Sequence, residues 1–202
     1  MRPYMMTGLG AFIAFAVGFA QLARGQDPQA TAVIFEDVRI FNGTADRLSE
    51  PSNVLVLGNR IATLSRDPIP DPTDASVTRI AGGGRTLMPG LIDAHTHIMF
   101  ATLPQHVILA SDAGYISVAA TKAAKDMLMR GFTSIRDLGG PVFGLKRGID
   151  QGLVVGPRIW PAGAFISQSG GHGDFRLPNE LPAAPGYFSF SERIGAAAIA
   201  DS

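Results

Sequence analysis

His95 and His97 are the residues best suited to chemistry, two of only 4 histidines in 202 residues, set one residue apart in LMPGLIDAHTHI (87–98). They follow a Pro-Gly turn and a short apolar run, the pattern of a strand entering a core. In an extended strand, residues i and i+2 project from one face. The two imidazoles are therefore expected side by side, with Ala94 and Thr96 on the opposite layer. Two neutral imidazoles converging on one point form part of a site for zinc or a related divalent ion. Asp93 shares their side of the pleat and is placed to support one ligand through a hydrogen bond. A bare His-x-His also occurs on solvated loops, so the pair by itself leaves both readings open.

Composition narrows the chemistry further. The chain has no cysteine, which excludes disulfides, thiolate metal sites and thiol nucleophiles, so any metal must be held by nitrogen and oxygen. Lysine plus arginine equal aspartate plus glutamate at 17 each, which offers no field for nucleic acid or another polyanion. A hydrophobic content of 46% with 17% charged residues is that of a core-forming protein rather than a disordered one.

The elements that must position the pair fall into two grammars. Residues 31–87 read as strands and turns: TAVIFEDVRIF alternates after its apolar start, and SNVLVLGNRIATL is a hairpin hinged at Gly58-Asn59. SRDPIPDPTDAS is turn-rich, and Gly82–Gly84 form another turn. After Gly90 the pattern becomes strand, helix, strand, helix. YISVAATKAAKDMLMRG places Ile116, Ala120, Ala123, Ala124, Met127 and Leu128 on one stripe, with Lys122, Lys125 and Asp126 opposite. Arg130 suits the negative end of that helix and Gly131 its left-handed cap. FTSIRDL is a strand, GGPVFGLKRGIDQG a short glycine-broken helical segment, and PRIWPAGAFIS a further strand. Strands alternating with helices give an α/β fold with a parallel sheet, whose functional groups gather at the carboxyl ends of the strands.

Other candidates carry less. His172, in SGGHGD after the third expected strand, reads either as a substrate contact or as a rim histidine. Asp174 reads as turn chemistry, and Arg136 with Asp137 at the end of the second strand as a local ion pair, the alternative being that they line the pocket. His106 has no partner in sequence and reads as packed or surface. Trp160 reads as core packing. Gly82–Gly84 and Gly139-Gly140 fit neither a P-loop nor a dinucleotide fingerprint.

The full string PGLIDAHTHI, between a β-rich unit and an amphipathic helix, resembles the first barrel strand of the amidohydrolase superfamily of metal-dependent hydrolases. GFTSIRDLGG (131–140) and GPRIWPAGAFISQSGGHGD (156–174) resemble the second and third strands of the branch holding imidazolonepropionase-like proteins and prolidase-type dipeptidases. The resemblance implies a (β/α)8 TIM-type barrel beside a small β-sandwich, residues 31–87 giving the sandwich's N-terminal strands and 88–202 about three βα units. It implies His95 and His97 as metal ligands, one or two divalent ions such as zinc, and a small-molecule or dipeptide substrate. The expected reaction is hydrolysis of an amide, dipeptide or cyclic amide C–N bond by metal-activated water. The lysine, later histidines and aspartate that complete such sites have no match here, so no catalytic residue is identified. A barrel of this type needs about 250 residues. The sequence therefore reads as an N-terminal fragment, expected to be inactive alone, the alternative being a non-catalytic metal- or substrate-binding remnant.

At the N-terminus, Arg2 precedes an uncharged run from Met5 to Ala23, followed by small residues. Residues 1–25 read as a signal peptide and the protein as exported, periplasmic or secreted. An uncleaved membrane anchor is the alternative, against which the run is interrupted by Gln21 and short of the roughly 20 residues that span a bilayer.

Overall fold

A computed structural model describes residues 30–180 and 186–201 of the chain. The signal-peptide expectation falls outside these residues. Among the described residues no helix is long and apolar enough to cross a membrane. The chain divides into two units between Met88 and Pro89.

The first unit is a five-stranded sheet. β1 (Ala30–Ile40), β2 (Ser52–Leu57), β3 (Arg60–Ser65) and β4 (Ala75–Ala81) lie in the order β3-β2-β1-β4, and β5 (Thr86–Leu87) extends the pairing of β1. β2 and β3 form the hairpin expected at Gly58-Asn59, with Leu57 opposite Arg60. β4 runs parallel to β1, a long-range pairing that local pattern does not specify. Period-two alternation buries Ala32 and Ile34 beneath the sheet, where they pack with Leu55 and Ile69. A bulge between Phe35 and Val38 then shifts the register, with Asp37 at φ 50°.

The second unit holds β6 (Leu91–Thr96), a 3-10 turn (Ile98–Phe100), α1 (Gln105–Ala110), α2 (Ala113–Met129), β7 (Phe132–Asp137), α3 (Phe143–Asp150) and β8 (Arg158–Pro161). The three strands form a parallel sheet in the order β6-β7-β8. α2 begins where the Asp112 carboxylate accepts the Tyr115 N–H, and it ends at Arg130 with Gly131 at φ 95°, a conformation glycine adopts without penalty. Its stripe of Ile116, Ala120, Ala123 and Ala124 is buried against Ile135 of β7 and Ile159 of β8. Burial of a side chain such as Ile116 stabilises by about 1.5–3 kcal/mol.

The other face of this sheet is open. Trp160, expected in the core, is 56% exposed, because it alternates with buried Ile159 and projects away from α2 and α3. Ile92 is 73% exposed. Together with Ala94, Arg136 and Leu138 they line an open concavity of about 590 Å³.

PRIWPAGAFIS is not one strand. β8 ends at Pro161, Gly163 turns the chain at φ 86°, and β9 (Phe165–Ser167) pairs in parallel with β10 (Ala197–Ile199) in a separate two-stranded sheet. Between them, α4 (Phe190–Arg193) starts at a capping box in which Ser189 and Glu192 satisfy each other's backbone N–H groups.

Candidate metal centre

β6 delivers the histidine pair to the carboxyl edge of the parallel sheet. Thr96, Asp137 and Pro161, at the ends of β6, β7 and β8, are level with one another across it. His95 is the penultimate residue of β6, and His97 caps the 3-10 turn that follows. A register shift between Asp93 and Thr96 bends the strand here. The two rings nevertheless lie together, centroids 5.4 Å apart and planes at 81°.

This spacing fits a shared ion. With Zn–N bonds near 2.1 Å and tetrahedral angles, two imidazoles on one ion have ring centres about 5 Å apart. The hydrogen bonding fits as well. His97 Nδ1 lies 3.3 Å from the Gly139 carbonyl oxygen, which can only accept, so this contact favours the proton on Nδ1 and would leave the Nε2 lone pair for a ligand. His95, His97 and a divalent ion are thus chemically compatible. Among the described residues, no group of three or more His, Cys, Asp or Glu is placed to hold a metal.

Asp93 does not support a ring. Its Oδ1 accepts the backbone N–H of His95 at 3.1 Å, closing a local turn, the usual competition of a short carboxylate for nearby backbone. Arg136 and Asp137 do not pair either. Adjacent strand residues project to opposite faces, and Arg136 is exposed on the open face while Asp137 is fully buried on the other. The Asp137 carboxylate instead accepts two backbone N–H groups, Ile98 at 2.7 Å and Gly139 at 3.2 Å. Burial pushes its carboxyl group above the ordinary aspartate range, opposed by those two N–H donors and the nearby His97.

Sequence reading missed two residues that shape this corner. Phe165 stacks edge-to-face on His97 with centroids 6.0 Å apart, and on Phe175 at 5.6 Å. It fits there because residue 139 is glycine: a Cβ on Gly139 would lie 1.9 Å from Phe165 Cδ1. The Gly-Gly pair after Asp137 was the available signal, and its purpose is close approach as well as turning.

His172 sits exposed in a turn following β9 and joins no metal-binding group with the pair. Asp174 organises that turn. It accepts the Gly170 N–H at 2.7 Å and the Arg176 Nε–H at 2.8 Å, and the Arg176 guanidinium holds its carboxyl well below the usual carboxylate range. His106 lies exposed on α1.

Residues 86–198 match the Amidohydrolase family. Over 96 residues the chain is 35% identical to ochratoxinase of Aspergillus niger, covering 46% of this chain and 20% of that protein. Over 68 residues it is 40% identical to imidazolonepropionase of Ectopseudomonas mendocina (strain ymp), covering 34% of this chain and 16% of that protein. Among solved structures it is similar to a prolidase complexed with N-methylphosphonate-L-proline, with TM-score 0.68 and 33% identity, over 85% of this chain and 41% of that one. The chain thus spans about a fifth of the ochratoxinase and under half of the prolidase. With the family match spanning more than half of its length and containing both histidines, the chain belongs to the amidohydrolase family.

Proposed function

We propose that this chain is part of a metal-dependent hydrolase of carbon–nitrogen bonds, acting on an amide, a dipeptide or a cyclic amide. The observation that carries the reading is the pair of imidazoles, edge to face at 5.4 Å, at the carboxyl edge of a parallel sheet within the family match. The names of the relatives, a prolidase among them, support the substrate class. The complete protein is proposed to close a (β/α)8 barrel, with the first unit contributing strands to a β-sandwich beside it.

A divalent ion, proposed as zinc, would be held here by His95 and His97, and when bound it lowers the pKa of water from about 16 to about 7 and polarises a carbonyl. This chain's own residues do the orienting. The Gly139 carbonyl fixes the proton on His97 Nδ1, and Asp93 holds the His95 backbone. Phe165 walls one side of His97. His172, in the turn beyond β9, is proposed as a substrate contact at the rim, and export is proposed from the N-terminal run.

A second reading, a metal- or substrate-binding unit without catalysis, is favoured by ligand count, since a catalytic zinc ordinarily has three protein ligands and two are identified. An amidase and dipeptidase screen on the full gene product tests both. Hydrolysis lost on chelation and restored by zinc supports the enzyme. Zinc binding without turnover of any amide, dipeptide or cyclic amide supports the second reading.

A further inference from the structure

The carboxyl edges of β6 and β7 are joined beyond the last ladder pair. The Leu138 N–H donates to the Thr96 carbonyl at 3.0 Å, the Ile98 N–H to Asp137 Oδ2 at 2.7 Å, and His97 Nδ1 meets the Gly139 carbonyl at 3.3 Å. Asp137 Oδ1 takes the Gly139 N–H, so one buried carboxylate holds the residue after His97 with one oxygen and the residue that accepts from His97 with the other. The Asp137 main-chain carbonyl also accepts the Ala162 N–H at 2.8 Å, which ties in the end of β8. The carboxylate has no surface exposure and, among the described residues, no lysine or arginine pairs with it, so its oxygens serve these amides.

We propose that Asp137 is the positioning residue of His97: by clamping Ile98 and Gly139 together it sets the Gly139 carbonyl on Nδ1 and so selects the tautomer that presents Nε2. Asp137 acts on the ring through Gly139. An asparagine there keeps one accepting oxygen but turns an NH2 toward the other amide, which releases one arm of the clamp. The consequence for an ion rests on the proposed function, whereas the tautomer does not.

The test is 15N NMR of the histidine rings in the metal-free full chain, wild type and D137N, followed by zinc titration. Wild-type His97 is expected to carry its proton on Nδ1, with the Ile98 and Gly139 amides slow to exchange together. D137N is expected to mix the two tautomers and to bind zinc 10- to 100-fold more weakly, the usual range for loss of a group behind a ligand. I116V trims the same core without touching the clamp and is expected to leave the His97 spectrum unchanged, which separates positioning from general destabilisation. Wild-type His97 protonated on Nε2 overturns the proposal, a result that needs no variant to fold. D137N with wild-type tautomer and affinity overturns it equally. The expected tautomer shift in a chain that binds no zinc upholds the clamp and refutes the metal reading.

Discussion

Replacement of Gly139 by alanine isolates the packing that shapes the His97 corner. Gly139 has no need of a left-handed backbone, in contrast to Gly140 at φ 127°, so the effect of a methyl group there is steric. The new Cβ would meet Phe165 Cδ1 at 1.9 Å. Restoring an ordinary carbon–carbon separation of about 3.5–4.0 Å requires the ring to move by roughly 2 Å. It has little room to do so. Gly173 approaches from another side, where its own Cβ would lie 2.7 Å from Phe165 Cδ2, and the His97 and Phe175 rings pack edge-on against it. Overpacking of this kind destabilises by about 1–3 kcal/mol. Trp160, the only tryptophan, lies in the same unit, so its fluorescence in a urea titration follows this unit rather than the N-terminal sheet. G139A is expected to lower the stability so measured by about 1–3 kcal/mol, and trimming the ring in G139A/F165L to recover more than half of it, the non-additivity of residues in contact. A loss below about 0.5 kcal/mol, the level of an ordinary surface change, would refute the steric argument. Strict additivity of the two substitutions would refute the role given to Phe165.

Two further outcomes follow from strand geometry and from the turn that carries His172. Ile159 and Trp160 are neighbours on β8 with opposite surroundings, so I159A is expected to lose about 2–5 kcal/mol in thermal or urea unfolding and W160S less than about 1 kcal/mol, despite the larger side chain. For Asp174, the folded carboxyl titrates below its unfolded value of about 3.9. Its contribution is therefore fully present above that value and lost as pH falls through the folded pKa. The stability difference between wild type and D174N, measured by urea titration, is expected to be constant above about pH 5 and to shrink steadily below about pH 4. A difference that grows toward low pH would reverse the sign and contradict the pairing with Arg176.

The parts legible in the sequence were those written in local pattern. The 3.6-residue stripe from Ile116 to Ala124, the glycine after Arg130 and the Gly58-Asn59 hinge each specify their element without reference to the rest of the chain. The spacing of His95 and His97 likewise brought the rings together, although through a bent strand end rather than a flat pleat. What escaped depended on partners far away in sequence. An aromatic inside a strand reads as core, yet Trp160 faces the open side of the sheet. Arg136 and Asp137 look like an ion pair because they are adjacent, yet adjacency in a strand separates side chains, and the acceptor Asp137 meets its donor 39 residues away. The six-residue α1 is too short to show periodicity, and the Gly163 break that ends β8 resembled continuation because PRIWPAGAFIS is apolar on both sides of it.

The central claim, that His95 and His97 hold one divalent ion through paired imidazoles, is tested most directly by X-ray absorption spectroscopy of the zinc-loaded protein alongside H95A and H97A. The expected spectrum has two imidazole nitrogens at about 2.0–2.1 Å in the wild type, one in each single variant, and a matching fall in zinc affinity. A zinc shell without imidazole, or one unchanged by both substitutions, would contradict it.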